Sequence, residues 1–182
     1  MTTDELTFIT ELKNNKTKEI AFKKLLSLYK ERLYWHIRKI VISHDDADDV
    51  LQNTFIKVFK NIDTFKKESK LYSWMYRIAT NEAITFINKR AKERNVDITE
   101  YQQKLVSSLD SDHWFSGDEI ALILQKAIAT LPQKQQLIFN MKYFEEMKYS
   151  QISEILGTSI GALKASHHIA AKKIEQFIKN YH

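Results

Sequence analysis

The sequence predicts an all-α protein made of two helical domains joined by a flexible linker. Its 182 residues include only three Gly, one Pro and no Cys, where average usage would give roughly a dozen Gly and about nine Pro. Because hairpin turns and Gly-rich phosphate loops depend on these residues, an all-β fold, a Rossmann domain and a P-loop NTPase are disfavoured. Apolar residues recur every three or four positions along most of the chain, which is the period of one helix face.

Composition narrows the class of protein further. Hydrophobic residues make up 43% of the chain and its net charge is +5, so it is expected to fold and modestly favours polyanionic partners. The absence of Cys excludes a disulfide scaffold, a thiol nucleophile and Cys-based metal sites. No segment approaches the apolar length of a membrane span and the N-terminus does not resemble a signal peptide, so we expect no membrane insertion and a cytoplasmic location.

Charge divides the chain into three parts. Residues 1–92 contain 18 Lys and Arg against 12 Asp and Glu, residues 93–118 contain 2 against 6, and residues 119–182 contain 8 against 5. The acidic middle part lacks sustained apolar periodicity and carries a Ser- and Asp-rich run before Gly117, which is typical of a linker with room for a short helical turn. We therefore predict a first block over 1–92, a linker over 93–118 and a second block over 119–182.

Helices are predicted throughout both blocks. In the first block, one helix carries the apolar stripe from Leu26 to Ile40, a second opens near Ser43 or Asp45, and a third runs from about Leu71 to Lys92. The second block is predicted to contain the following elements in order: a helix over 118–130, Pro132 at the start of the next helix, a short helix over 149–156, Gly157, and a helix capped by Thr158 or Ser159 that ends near Lys179. A short helix, a Gly turn and a capped longer helix form the helix-turn-helix pattern.

The outer face of the last predicted helix suits a DNA groove better than an ordinary solvated surface. It combines small side chains, a cation and a capped N-terminus, which together permit close approach, phosphate contact and base readout. The residues of this face are Ser159, Gly161, Ala162, Lys164, Ala165 and His168. His167 falls among apolar residues, and we expect it to be a core histidine.

A polar stripe on the predicted helix 71–92 favours binding of a single nucleic-acid strand. An aromatic residue followed by Arg and Asn at helical spacing suits base stacking, phosphate contact and base-edge hydrogen bonds. The stripe comprises Trp74, Arg77, Asn81, Thr85 and Asn88, and the preceding basic connector adds Lys66, Lys67, Lys70 and Tyr72. Trp74 taken alone is equally well explained as an anchor of the core.

No arrangement of residues predicts catalysis. The cluster Asp45, Asp46, Asp48 and Asp49 lacks the Gly and terminal Glu of a calcium loop, and a helix N-terminus explains it. The six His residues show no H-E-x-x-H spacing, which disfavours a zincin-type metal site. We therefore expect no enzyme activity, no small-molecule substrate, no metal and no cofactor.

Three long segments resemble the extracytoplasmic-function (ECF, group IV) sigma factors of bacterial RNA polymerase. DDADDVLQNTFIKVFKNIDTF and SKLYSWMYRIATNEAITFINKR are similar to region 2 of that family, and LPQKQQLIFNMKYFEEMKYSQISEILGTSIGALKASHHIAAKKI is similar to region 4. The resemblance implies that region 2 binds the β′ clamp helices of core polymerase and melts the −10 promoter element. It also implies that region 4 binds the β flap and reads the −35 element, and that an anti-sigma factor is a possible further partner.

The resemblance also implies a role for each set of residues. The β′-facing set is Asp48, Asp49, Gln52, Asn53 and Phe55, the connector and the polar stripe would bind the −10 strand, and the outer face of the last helix would bind the −35 element. Ser166 and Ile169 replace two frequent Arg residues, so weaker phosphate anchoring and a shallower salt dependence are expected.

Two other functions remain open on sequence grounds. A stand-alone helix-turn-helix regulator would bind duplex DNA without polymerase. An interaction protein that only docks onto polymerase would bind core without promoter-specific initiation.

Overall fold

The computed structural model describes residues 3–66, 68–107 and 119–181, and within these ranges the chain is helical and contains no strand. Its helices are α1 (Thr3–Lys13), α2 (Lys18–Val41), α3 (His44–Asn61), α4 (Leu71–Glu93), α5 (Ile98–Ser107), α6 (Glu119–Ala129), α7 (Gln133–Tyr143), α8 (Tyr149–Leu156) and α9 (Ile160–Lys179), with a short 3-10 turn over Ile62–Thr64. The all-α prediction is confirmed for these residues.

The first block is a bundle in which α2, α3 and α4 pack against one another and α1 packs on α2. Each helix contributes one apolar stripe to a shared core, which includes Leu33 and Ile37 from α2, Val58 from α3, and Met75 from α4. The start of α3 is fixed by Ser43, whose hydroxyl accepts a hydrogen bond from the Asp46 amide at 3.4 Å. This N-cap is one of the two predicted from the sequence, and it satisfies a helix-end amide that has no partner within the helix.

The second block contains the predicted helix-turn-helix. Gly157 ends α8 with φ at +63°, a left-handed conformation that glycine adopts without steric cost. Ser159 then caps α9 by accepting a hydrogen bond from the Ala162 amide at 3.4 Å. A small apolar core joins α6, α7 and α9 through Ala127, Ile128, Leu131, Phe139, Ala170 and Ile174.

The described part of the predicted linker is more ordered than the sequence indicated. Residues 98–107 form α5, in which Tyr101, Gln102 and Val106 are buried. The Gln102 amide donates to the Ile40 carbonyl at 3.3 Å, and its oxygen accepts from Gln136 at 3.0 Å. The apolar residues Ile98, Tyr101, Leu105 and Val106 fall at i, i+3, i+7 and i+8, a helical period that the linker prediction overlooked. The remainder of the predicted linker, 108–118, lies outside the described residues.

The two blocks share one continuous apolar core. The cluster that fills the first block extends without a break into α7, α8 and α9 of the second block. The members that the second block contributes are Leu137, Ile138, Met141, Met147, Ile152, Ile155 and Leu163. The blocks are therefore packed against each other, with α8 lying on α4 and α7 touching α2.

Candidate nucleic-acid and partner interfaces

Helix α4 presents the predicted polar stripe on the side away from its buried face. Arg77, Asn81, Thr85 and Asn88 are exposed, and Trp74 is half-buried. The opposite side of α4 is anchored in the core by Leu71, Met75, Ala79, Ala83 and Ile87. The two faces follow directly from the helical spacing of polar and apolar residues.

A cavity of about 390 Å³ lies at the N-terminal end of this stripe. Its lining residues are Thr64, Phe65, Lys66, Glu68, Ser69, Trp74, Arg77 and Glu154. The rings of Phe65 and Trp74 lie 5.2 Å apart with their planes 49° from parallel. Trp74 therefore packs against the core and also lines the cavity, so both of its predicted roles are compatible with its position.

Among the described members of the predicted basic connector, only Lys66 lines that cavity. Lys66 and Lys70 are exposed, whereas Lys67 lies outside the described residues. Tyr72 points to another side of α4, where its ring lies 4.3 Å from that of Tyr76. Burial raises the pKa of the Tyr72 hydroxyl to about 12. The structure thus separates Tyr72 from the stripe with which the sequence grouped it.

The outer face of α9 is open to solvent. All six predicted residues are exposed, namely Ser159, Gly161, Ala162, Lys164, Ala165 and His168. The helix is fixed from its other side by buried Leu163, Ala170 and Ile174. Its capped N-terminus and small side chains are arranged as close approach to a DNA groove requires.

His167 lies at the edge of the core rather than inside it. The ring is half-buried and stacks on Phe139 at 5.8 Å between centroids, and Nδ1 lies 3.2 Å from the Tyr149 hydroxyl. Burial lowers the pKa of this imidazole, and the nearby charges of Lys142 and His168 lower it further.

Helix α3 exposes most of the predicted partner-binding residues. Asp49, Gln52 and Asn53 are exposed and Asp48 is half-exposed, but Phe55 is only 7% exposed. Phe55 nevertheless lines an apolar groove beside α3, and its role in partner binding stays a prediction.

An apolar groove lies between α2 and α3, and Gln52 and Phe55 are the two of its lining residues that the sequence predicted to bind a partner. It has a volume of about 600 Å³ and is lined by Phe22, Leu26, Lys30, Leu51, Gln52, Phe55, Ile56, Phe59 and Lys60. Ile56 is 50% exposed and Phe59 is 36% exposed. Large apolar side chains that remain exposed in one contiguous patch mark a surface that a partner covers.

The described residues contain neither a metal-binding cluster nor a membrane-spanning helix. Within 3–66, 68–107 and 119–181, no group of His, Asp and Glu side chains is arranged to hold a metal ion. Among the helices of the same ranges, none has the length and apolarity needed to cross a bilayer.

Comparison with known proteins assigns both blocks. Residues 25–93 match the family model Sigma-70 region 2, and residues 121–174 match Sigma-70, region 4. The ECF RNA polymerase sigma factor SigW of Bacillus subtilis is 27% identical over 168 residues, covering 88% of this chain and 90% of that protein. The ECF RNA polymerase sigma-E factor of Haemophilus influenzae is 25% identical over 170 residues, covering 87% and 88%.

Solved structures show the same fold. CnrH, in complex with the cytosolic domain of CnrY, superposes with a TM-score of 0.70 at 18% identity and covers 98% of this chain and 99% of its own. The sigma factor RpoE from Bartonella quintana, in complex with the anti-sigma factor NepR, gives a TM-score of 0.66 at 22% identity, covering 88% and 98%.

These matches define a transcription initiation factor: the chain belongs to the sigma-70 family. Within that family it is an ECF sigma factor, which binds core RNA polymerase and directs it to promoters. A stand-alone helix-turn-helix regulator is disfavoured, because such a protein has no need of a region 2.

Proposed function

We propose that three surfaces of the chain have separate binding roles in promoter-specific initiation. The α3 surface, including the apolar groove, binds core polymerase. The α4 stripe binds the melted −10 strand, and the outer face of α9 binds the duplex −35 element. The observation that carries this assignment is the exposure of two DNA-suited faces, on α4 and α9, in the two segments that match regions 2 and 4.

The α4 stripe fits a single strand better than a duplex. Its half-buried Trp74 borders a cavity that also contains Lys66 and Arg77, so an unstacked base can enter while cations hold the adjacent phosphates. Asn81, Thr85 and Asn88 continue the exposed face with hydrogen-bonding groups that suit base edges.

The groove fits an apolar helix face with an acidic border. Phe22, Ile56 and Phe59 supply the apolar floor, and Lys30 and Lys60 stand at its edges. Asp48 and Asp49 lie at the other end of α3 and would meet a basic part of the same partner. Core polymerase is the proposed occupant, and an anti-sigma factor is a proposed competitor, since solved relatives are bound to such proteins.

The chain directs a catalyst in this proposal and is not itself one. Its partners are core polymerase and promoter DNA, with no small-molecule substrate and no cofactor, and its place of action is the cytoplasm.

Transcription in vitro with core polymerase and a promoter library tests the proposal. Wild type should initiate at a restricted set of promoters, and the sequences of those promoters give the consensus that the chain recognises. Trp74→Ala and Asn81→Ala should reduce open-complex formation at least tenfold while core binding stays unchanged, because both residues lie on the proposed path of the melted strand and not on the α3 surface. An equal loss of core binding would contradict the proposal that the stripe binds DNA.

A further inference from the structure

Helix α1 holds both ends of the segment that joins the 3-10 turn to α4. At the first end, the Lys13 ammonium donates to the Asp63 carbonyl at 3.1 Å and to the Phe65 carbonyl at 2.7 Å. At the second end, a carboxylate oxygen of Glu5 accepts a hydrogen bond from the Leu71 amide at 3.2 Å. One helix therefore fixes the entry and the exit of a segment that lies at least 50 positions away in the sequence.

Both contacts supply partners that the local backbone lacks. The carbonyls at the end of a helical turn and the amides at the start of a helix have no partner within the element. Lys70, the N-cap residue of α4, makes no side-chain capping hydrogen bond, so the Glu5 carboxylate takes that place on Leu71. The two charges also match the ends that they meet, since a helix N-terminus favours an anion and a C-terminus favours a cation.

Helix α1 is itself fixed in the core of the first block. Ile9 and Leu12 are fully buried, and α1 packs on α2 and touches the 3-10 turn. Lys18, at the start of α2, adds an ion pair with Asp63 at 3.0 Å, next to the Lys13 contact. The two charged side chains of α1 therefore extend from a helix whose position is set by core packing, so they can restrict the segment that they hold.

The segment between the two contacts forms one wall of the cavity beside Trp74. Phe65 is 3% exposed and its ring lies 5.2 Å from that of Trp74, so the Lys13 contact to the Phe65 carbonyl sets the position of this wall. The further residues of the segment that line the cavity are Lys66, Glu68 and Ser69. Among the described residues, none from α1 lines the cavity, and α1 therefore shapes the site without offering a group to a base.

We propose that Glu5 and Lys13 are positioning residues for −10 recognition, because they fix the segment between them in the conformation that admits an unstacked base. The inference rests on the proposed function of the α4 stripe and its cavity. A site that is already ordered loses less conformational entropy when it binds. Its groups also stay at fixed positions, whereas a mobile site can rearrange around an incorrect base. Loss of either contact should therefore reduce discrimination between bases as well as affinity.

Mobility of the segment tests the positioning role without DNA. The sequence has no Cys, so a nitroxide spin label on Glu68→Cys reports on one exposed position of the full chain. Lys13→Met and Glu5→Met remove the two contacts while keeping side-chain length, and the central line of the spectrum should narrow in both. Lys16→Met and Glu11→Met make the same substitutions at exposed positions and should leave the spectrum unchanged. Line widths equal to those of these controls would overturn the proposal.

Base preference tests whether this positioning serves recognition. In transcription of the promoter library by the polymerase holoenzyme, Trp74→Ala identifies the −10 position whose base enters the cavity. Lys13→Met and Glu5→Met should reduce the preference for the favoured base at that position at least about fivefold, since one incorrect base costs an ordered interface about that factor or more. Preferences at the −35 element should stay within about twofold, because neither contact touches α9. A general loss of folded protein lowers transcription from all promoters alike and leaves the preferences unchanged.

Conservative variants separate the two contacts from a general effect of substitution. Lys13→Arg keeps a charged donor for the two carbonyls, and Glu5→Gln keeps an acceptor for the Leu71 amide, so both should retain most of the base preference. The two contacts lie at opposite ends of the segment, so if one Met variant fails to fold, the other still decides. A preference that is lost equally in a Met variant and in its conservative partner would assign the effect to packing and overturn the positioning role.

The two proposals fail in different ways. If Trp74→Ala changes the preference at a −10 position and neither Lys13→Met nor Glu5→Met does, the positioning role is overturned and the proposed function of the stripe stays. If Trp74→Ala changes no −10 preference, the proposed function of the stripe fails, and the inference falls with it even where the spectra narrow.

Discussion

Lys164 is held beside Tyr149 on the exposed face of α9. Its ammonium lies 6.0 Å from the centre of the Tyr149 ring, and Lys142 lies 5.3 Å from the same ring. Among the six predicted residues of the outer face of α9, Lys164 is the only lysine or arginine, so phosphate contact at this face depends strongly on it. A lysine whose ammonium lies over an aromatic ring loses some conformational freedom, but the ammonium can still extend to a phosphate.

Replacement of Lys164 by Ala should weaken binding to a −35 duplex and flatten its salt dependence. Each lost phosphate contact lowers the slope of log affinity against log salt by about 0.9. Fluorescence anisotropy across a salt series with the polymerase holoenzyme measures both quantities. Lys179→Ala, at the far end of α9 and paired with Glu175, is the matched control. An unchanged slope for Lys164→Ala would remove this residue from the DNA interface.

The half-buried imidazole of His167 should make the second block sensitive to acid. Its pKa is lowered from 6.5 by burial first and by Lys142 and His168 next. The unfolded chain therefore binds the proton more readily than the folded chain does. The neutral ring contributes fully to the free energy of unfolding above about pH 6.5, and this contribution is lost as the pH falls through the pKa of the folded state.

Urea unfolding between about pH 7.5 and pH 5.5 measures this effect. Wild type should lose more stability on acidification than His167→Gln. His168→Gln removes only the smallest of the three causes of the lowered His167 pKa and should keep most of the loss. If wild type and His167→Gln lose the same unfolding free energy on acidification, other groups cause the acid sensitivity.

At the scale of elements, the helix-turn-helix depends on one left-handed residue. Gly157 has φ at +63° and its amide donates to the Ser153 carbonyl at 2.9 Å. Gly161, in the first turn of α9, has ordinary helical geometry, and a Cβ added to either glycine meets nothing within 4 Å. The two positions therefore differ in backbone conformation and not in available space.

The glycines should respond to Ala in opposite directions. Gly157→Ala should cost about 1 kcal/mol of unfolding free energy, because the left-handed region disfavours a Cβ. Gly161→Ala should stabilise by up to about 1 kcal/mol through helix propensity. Chemical denaturation of the full chain measures both. Destabilisation by Gly161→Ala equal to that of Gly157→Ala would contradict the conformational explanation.

Elements with local signals were predictable from the sequence, and those that depend on distant partners were not. The bounds of α8 follow from Gly157 and those of α9 from Ser159, and both were predicted. The helical period of α5 is present in the sequence, but its packing was not predictable, because the buried Gln102 finds its partners only in the folded chain. Likewise the His36 imidazole lies 2.9 Å from a carboxylate oxygen of Glu145, 109 positions away, and no spacing rule joins the two residues.

At the scale of the whole molecule, the two blocks pack together through α8 on α4 and α7 on α2. The groove, the outer face of α9 and four of the five residues of the α4 stripe stay exposed in this arrangement. The proposed surfaces for core polymerase, the −10 strand and the −35 element therefore lie on one packed molecule.

The groove supplies the last prediction, since it is part of the surface proposed to bind core polymerase. Ile56 is 50% exposed inside the groove, and Leu28 is 54% exposed on the opposite side of α2. Burying an Ile side chain is worth about 1.5–3 kcal/mol, so Ile56→Glu should weaken core binding at least tenfold. Leu28→Glu makes the same kind of change at matched exposure and should leave core affinity within about twofold.

Both variants should fold normally, because each replaces an exposed side chain. Competition with a labelled wild-type chain for core polymerase measures their affinities directly. If Leu28→Glu weakens binding as much as Ile56→Glu does, the polymerase contact lies elsewhere on the first block. If only Ile56→Glu loses affinity, the groove between α2 and α3 is a surface through which the chain binds core polymerase.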